Sequence, residues 1–271
     1  MSPQVEAHVA AHQSVFDDVG DAVATLTNED WSTPTGCPGW DVHDQIAHVV
    51  GVERYLLGDP PARVELPEDL PHIRSPYAKR VEYAVHARRG VPHDELAAEL
   101  AATVPRRLAQ LRSLTDDDLA QDATLVSGVT MRLSQWLRQR VFDMTCHTYD
   151  IRRATGALPG VDGPHLQVAC QLIARAWAAE LPNRLEPEHH RVIDVQVDGV
   201  ADLQIDFTTG RVNTSGPADA SGPADAHVAF DIATFLAVAA GRSDAPERST
   251  IASHGDRRFV DAVLEHATIT P

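Results

Sequence analysis

Between Gln135 and Ala154 the chain reads QWLRQRVFDMTCHTYDIRRA, where Trp136, Arg140, Asp143, His147, Asp150 and Ala154 follow at spacings of four, three, four, three and four. At 3.6 residues per turn these form one stripe along a helix. An ordinary amphipathic helix turns apolar residues inward on such a stripe. This one carries a guanidinium, two carboxylates and an imidazole, while Leu137, Val141 and Ile151 lie off it. A helix so loaded should border a polar cavity inside a bundle. Asp143 and His147 are four apart, so both side chains can aim at one point. That is the geometry by which a single helix gives two ligands to one metal ion. A surface ion pair or a cap has the same spacing, so the pair alone does not decide between them.

The helix needs a partner, and WSTPTGCPGWDVHDQIAHVVGVERYLLGD supplies one. Its first half is a Pro-, Gly- and Thr-rich loop. Asp41 then serves as N-cap, with Asp44 in the first turn, and a helix runs to about Leu57, where Gly58 and Pro60-Pro61 stop it. On that helix His48 and Tyr55 share a face, whereas His43 lies about 140° from His48 and cannot serve the same site. A lone His in such a helix is more often a hydrogen-bonded core residue than a ligand, so His48 by itself does not make a site. Another helix is expected over 4–27, with Val5, Val9, Val15, Val19 and Val23 inward. Two more are expected over 76–89 and 94–114, the latter kinked or interrupted at Pro105. A short turn opens at Asp116, 123–132 reads as extended or loop, and the charged helix begins near Leu133–Ser134. Four substantial helices make a bundle whose core can host a metal from facing helices.

Composition shifts at Leu158-Pro159-Gly160, which divides a bundle over 1–158 from a second domain over 159–271. The second part opens with an Ala-rich helix over 163–181. VIDVQVDG and ADLQIDFTTG then alternate with period two about Asp198-Gly199, a hairpin signal. SGPADA occurs twice in tandem over 215–226 and reads as a flexible duplicated loop. HVAFD and STIAS read as strands, IATFLAVAAG and DRRFVDAVLEH as helices. The fold class is therefore α+β, a bundle followed by a smaller mixed domain.

Twenty-three basic against 39 acidic residues leave a net charge of −16, which disfavours nucleic acid and anionic membrane surfaces. No apolar run approaches the roughly 20 residues a bilayer requires. The opening MSPQVEAHVAAHQ lacks a secretory layout. A soluble cytoplasmic monomer is the expectation. Cys37, Cys146 and Cys170 form no C-x-x-C pair, so neither a disulfide framework nor a cysteine zinc site follows.

CPGWDVHDQIAHVVGVERYLLG paired with VFDMTCHTYDIRRATG closely resembles the mycothiol-dependent maleylpyruvate isomerase family, within the DinB-like metal-binding bundles. The likeness continues into a sterol-carrier-like C-terminal domain, with Gly241-Arg242 at a helix end and a later Gly255-Asp256. The resemblance implies a divalent cation, zinc or another, held by His48, Asp143 and His147. Family members commonly have Glu where this chain has Asp143, one methylene shorter. Two imidazoles and a carboxylate leave a coordination position open, as in catalytic rather than structural zinc.

A thiol entering that position would lose its proton near neutral pH. The resemblance implies that mycothiol adds to the cis double bond of an activated diacid and leaves after rotation, giving the trans isomer. An S-transferase would release the adduct instead. A small-molecule substrate and a low-molecular-weight thiol are thus the implied partners. Arg140 is a candidate for binding a substrate or cofactor carboxylate, with an ion pair to Asp143 or Asp150 as the alternative. Arg242 is a candidate for reaching a carboxylate, and Tyr55 for donating to a bound ligand or cofactor. Two other classes stay open: metal-assisted hydrolysis with water in the thiol's place, and a binding module with a decayed bundle site.

Overall fold

The structure is a computed structural model that describes residues 1–124, 128–157, 163–214, 223–242, 248 and 251–270. The chain forms two compact units, Met1–Gly160 and Val161–Pro271. No helix among the described residues is long and apolar enough to cross a membrane.

The first unit is helical. α1 (Pro3–Ala24) begins at Ser2, whose hydroxyl accepts from the Val5 N–H. α2 (Val42–Leu56) begins at the expected Asp41 cap, where the carboxylate accepts from the Asp44 N–H at 2.9 Å. α3 (Pro76–His86), α4 (His93–Arg112) and the one-turn α5 (Asp116–Ala120) follow. A small antiparallel pair, β1 (Asp122–Thr124) and β2 (Thr130–Arg132), leads into α6 (Leu133–Thr155). α1, α2, α4 and α6 form the bundle: α1 and α2 each pack against both α4 and α6, and α3 lies on α2. Val5, Phe16, Ile46, Val49, Leu96, Leu108, Leu137, Met144 and Ile151 fill its core. Each such side chain contributes about 1.5–3 kcal/mol of burial.

α6 ends at Gly156, whose φ of +69° is the left-handed closure that glycine supplies without strain. Of the kink or interruption expected at Pro105, the interruption does not occur, and α4 runs through it. Ala101, whose carbonyl loses its partner at the proline, is exposed and open to water. Leu100 and Leu108 stay buried on the other face and carry the helix across the break.

The second unit begins with α7 (Pro164–Glu180) and continues into a five-stranded sheet. Its strands are β3 (Val192–Val197), β4 (Ala201–Asp206), β5 (Arg211–Asn213), β6 (Ala226–Phe230) and β7 (Ala252–Gly255), in the order β5-β4-β3-β6-β7. Only the β3–β6 pairing is parallel among them. The β3–β4 hairpin turns at Gly199, with φ +70°. Ile193, Val195, Val197, Val228 and Phe230 face an apolar core that contains Trp177 of α7, Phe235 of α8 (Ile232–Ala239) and Phe259 of α9 (Arg257–His266). The last strand lies later than STIAS suggests, because Ala252–Gly255 pair with β6. Gly255 fits there at φ +88°, where a Cβ would come within 2.5 Å of the Asp225 carbonyl. Most of the tandem SGPADA segment, 215–222, lies outside the described residues.

Candidate metal centre

α2 and α6 face each other across the bundle, and His48 of α2 meets Asp143 and His147 of α6 there. One donor atom from each residue lies within 4.8 Å of the others. His48 Nε2 is 3.1 Å from Asp143 Oδ2, and His147 Nε2 is 3.5 Å from Asp143 Oδ1. Bonds of about 2.0–2.2 Å in a tetrahedral shell put neighbouring donors roughly 3.3–3.6 Å apart, and each imidazole stands beside a different oxygen of Asp143, with one donor from each residue close enough to be drawn in around a zinc-sized cation. The shorter Asp143 side chain reaches both imidazoles. His48 Nδ1 is buried and has no hydrogen-bond partner among the described residues. Asp143 keeps 32% of its side-chain surface open while both imidazoles are buried, so the cluster is accessible from the carboxylate's side.

Electrostatics favour an anion at Asp143. Burial alone would raise its pKa, but His48, His147 and Arg140 together hold it well below the usual carboxylate range. Arg140 is itself buried, bonded to Asp143 through Nη1, to Glu53 Oε1 at 2.6 Å and to the Val49 carbonyl at 3.2 Å. Glu53 also accepts from Arg107 Nε at 2.6 Å, so one fully buried carboxylate joins α2, α4 and α6. Burial pushes the Glu53 pKa up, and the two guanidiniums outweigh it and keep the group ionised. A buried carboxylate between two cations costs desolvation, and the pairing makes that burial tolerable.

The loop before α2 covers the two imidazoles. The Trp40 N–H donates to the Cys37 carbonyl at 3.1 Å, and Gly39 takes φ +80° in a turn where a Cβ would strike His72. The turn sets the Trp40 indole 5.2 Å from the His48 ring and 5.7 Å from the His147 ring, centroid to centroid. Indole Nε1 donates to Glu82 Oε2 at 2.9 Å, and the same buried carboxylate meets His72 and Arg89. Tyr77, in the first turn of α3, also senses the centre: burial and then the Asp143 charge push its phenol up to about 12.

Of the residues singled out in the sequence, the structure gathers His48, Arg140, Asp143 and His147. Asp150 stands 3.9 Å from His147 Nδ1, and the closer neighbour of that nitrogen is Gln45 Oε1 at 2.5 Å. Tyr55 is 40% exposed and lines a separate cavity of about 1360 Å³ with Arg80, Tyr83 and Arg88, a cavity that none of the three donor residues lines. Arg242 belongs to the second unit, where it follows α8 and its Nη1 donates to the Ala240 carbonyl. Gln45, Glu53 and Arg107 escaped the sequence reading. Gln45 had one signal, being three residues before His48 and so on its face. Glu53 and Arg107 had none, since each acquires its partner from another helix.

The sequence model of one family, the mycothiol maleylpyruvate isomerase N-terminal domain, matches residues 12–152, just over half of the chain. Two crystal structures, of the mycothiol-dependent maleylpyruvate isomerase and of a histidine-to-alanine variant of it, share the fold with a TM-score of 0.57 at 17% identity. Each alignment covers 94% of this chain and 97% of the other. No curated protein matches this sequence.

Proposed function

The chain belongs to the mycothiol maleylpyruvate isomerase family, and on that premise we propose that it is a thiol-dependent enzyme acting at a divalent cation held by His48, Asp143 and His147. The reaction class is cis–trans isomerisation of an unsaturated acid, or transfer of the thiol to such a substrate, with mycothiol as the thiol and zinc as the cation. The observation that carries this reading is the donor cluster itself, two imidazoles and one carboxylate with donor atoms within 4.8 Å of one another and the carboxylate's side open. Bound there, such an ion supplies Lewis acidity that brings a thiol pKa of about 8.5 down toward neutrality.

The chain's own residues prepare that chemistry. Arg140 acts through Asp143, since its guanidinium is already engaged by Glu53, Asp143 and the Val49 carbonyl. It keeps the carboxylate ionised and fixed in place. Trp40 shields the two rings from water on one side, which strengthens their interaction with a cation. Tyr55 is kept in this reading as a contact to the thiol. A soluble cytoplasmic monomer is part of the same reading. The reach of Asp143 to both imidazoles argues against a decayed site.

Zinc-loaded protein offered maleylpyruvate with and without mycothiol tests the proposal. Turnover that requires the thiol is the expected result. Turnover that is indifferent to the thiol would replace this reading with hydrolysis by water.

A further inference from the structure

His147 presents two ring nitrogens, and only one can carry a lone pair toward a cation while the ring is neutral. Which one is settled by a chain of hydrogen bonds that starts at the backbone. Thr35 Oγ1 lies 2.9 Å from the Trp40 carbonyl, which can only accept, so the hydroxyl donates there. The Cys37 N–H, which can only donate, reaches the same oxygen at 3.2 Å. The Gln45 side-chain atom 2.7 Å from Thr35 Oγ1 must then be a donor too, which makes it the amide NH₂. Its carbonyl oxygen is thereby turned toward His147 Nδ1, 2.5 Å away, and that nitrogen must bear the proton. In the neutral ring, Nε2, the nitrogen facing Asp143, then holds the lone pair. His48 receives no such bond at Nδ1 among the described residues.

We infer that Gln45, oriented by Thr35, is the positioning residue that fixes His147 as the Nδ1–H tautomer and so aims the Nε2 lone pair at the cation. The inference rests on the metal reading for its purpose but not for its test. Gln45 touches neither substrate nor cation; it acts through His147. Removing the partner of a ligating histidine costs about 10–100-fold in metal affinity, and that is the effect expected here.

The experiment uses the full chain, first metal-free and then titrated with zinc against a chromophoric chelator. Long-range ¹H–¹⁵N spectra of the metal-free protein report which nitrogens of the His147 ring carry protons. The wild type should show Nδ1 protonated. Gln45→Leu should lose that single tautomer and bind zinc about 10–100-fold more weakly. Gln45→Glu keeps an acceptor for Nδ1 and should keep that nitrogen protonated, which separates positioning from mere packing. Thr35→Val should weaken zinc binding less than Gln45→Leu. An Nε2–H tautomer in the wild type, or an unchanged tautomer and zinc affinity in Gln45→Leu, overturns the inference. The Nδ1–H tautomer in a protein that takes up no zinc would sink the metal reading and still support Gln45 as what sets the ring.

Discussion

The two units bury their interiors by opposite means. The second keeps charge out: Trp177, Phe230, Phe235 and Phe259 meet behind the sheet, with the Trp177 and Phe235 rings 5.4 Å apart. On the sheet's other face His227 bonds Asp194 at 3.0 Å and stacks on His254. The first unit draws charge in. Glu53, Arg107, Arg140 and His147 are all buried, and each has a charged partner on a different helix or the next turn. An apolar core is held by area and shape; a core built on ion pairs is held by mutual completeness, so losing one member strands the others. The proposed cation site sits where the second kind of core opens toward the surface.

The largest test of this contrast is Glu53→Ala, which leaves two buried guanidiniums facing each other. It should destabilise the first unit by about 3–5 kcal/mol in urea unfolding and weaken zinc binding as well. Phe235→Ala in the second unit should cost a similar ~3–5 kcal/mol and leave zinc affinity unchanged. A Glu53→Ala protein of wild-type stability would erase the distinction.

A somewhat smaller effect should appear with pH. His12 on α1 is fully buried, with Nδ1 bonded to the His8 carbonyl, and burial lowers its pKa from 6.5 to about 4. A depressed folded-state pKa means that the unfolded chain binds the proton first as pH falls. The stabilisation from keeping His12 neutral is therefore complete above 6.5 and is lost on descending to about 4, by roughly 3 kcal/mol. Urea midpoints across that window should fall in the wild type and flatten in His12→Phe. The smallest expected effect is local: Asp41→Ala removes the cap of α2 and should cost about 1 kcal/mol by the same measurement.

Much of this was legible in the chain. The stripe on α6 could be read because helical periodicity puts Arg140, Asp143 and His147 together whatever surrounds them. The Asp41 cap and the hairpin at Gly199 rest on equally local rules. What could not be read depends on contacts between distant segments. Glu53 looks like an ordinary helical glutamate until Arg107 and Arg140 arrive from α4 and α6. Gln45 is an unremarked amide until Thr35 turns it and His147 receives it. The register of β7 is set by β6, and the continuity of α4 through Pro105 by the leucines packed beneath it. Local propensity argued against both.

Thiol chemistry at this site requires His48, Asp143 and His147 to hold a cation together. Titration of untagged, metal-free protein with cobalt(II), followed by visible absorption, asks this directly. One ion per chain should bind with the intense d–d bands of a four- or five-coordinate site, and Asp143→Ala or His147→Ala should abolish them. Uptake of less than about a tenth of an equivalent, or an identical spectrum in both variants, would contradict it.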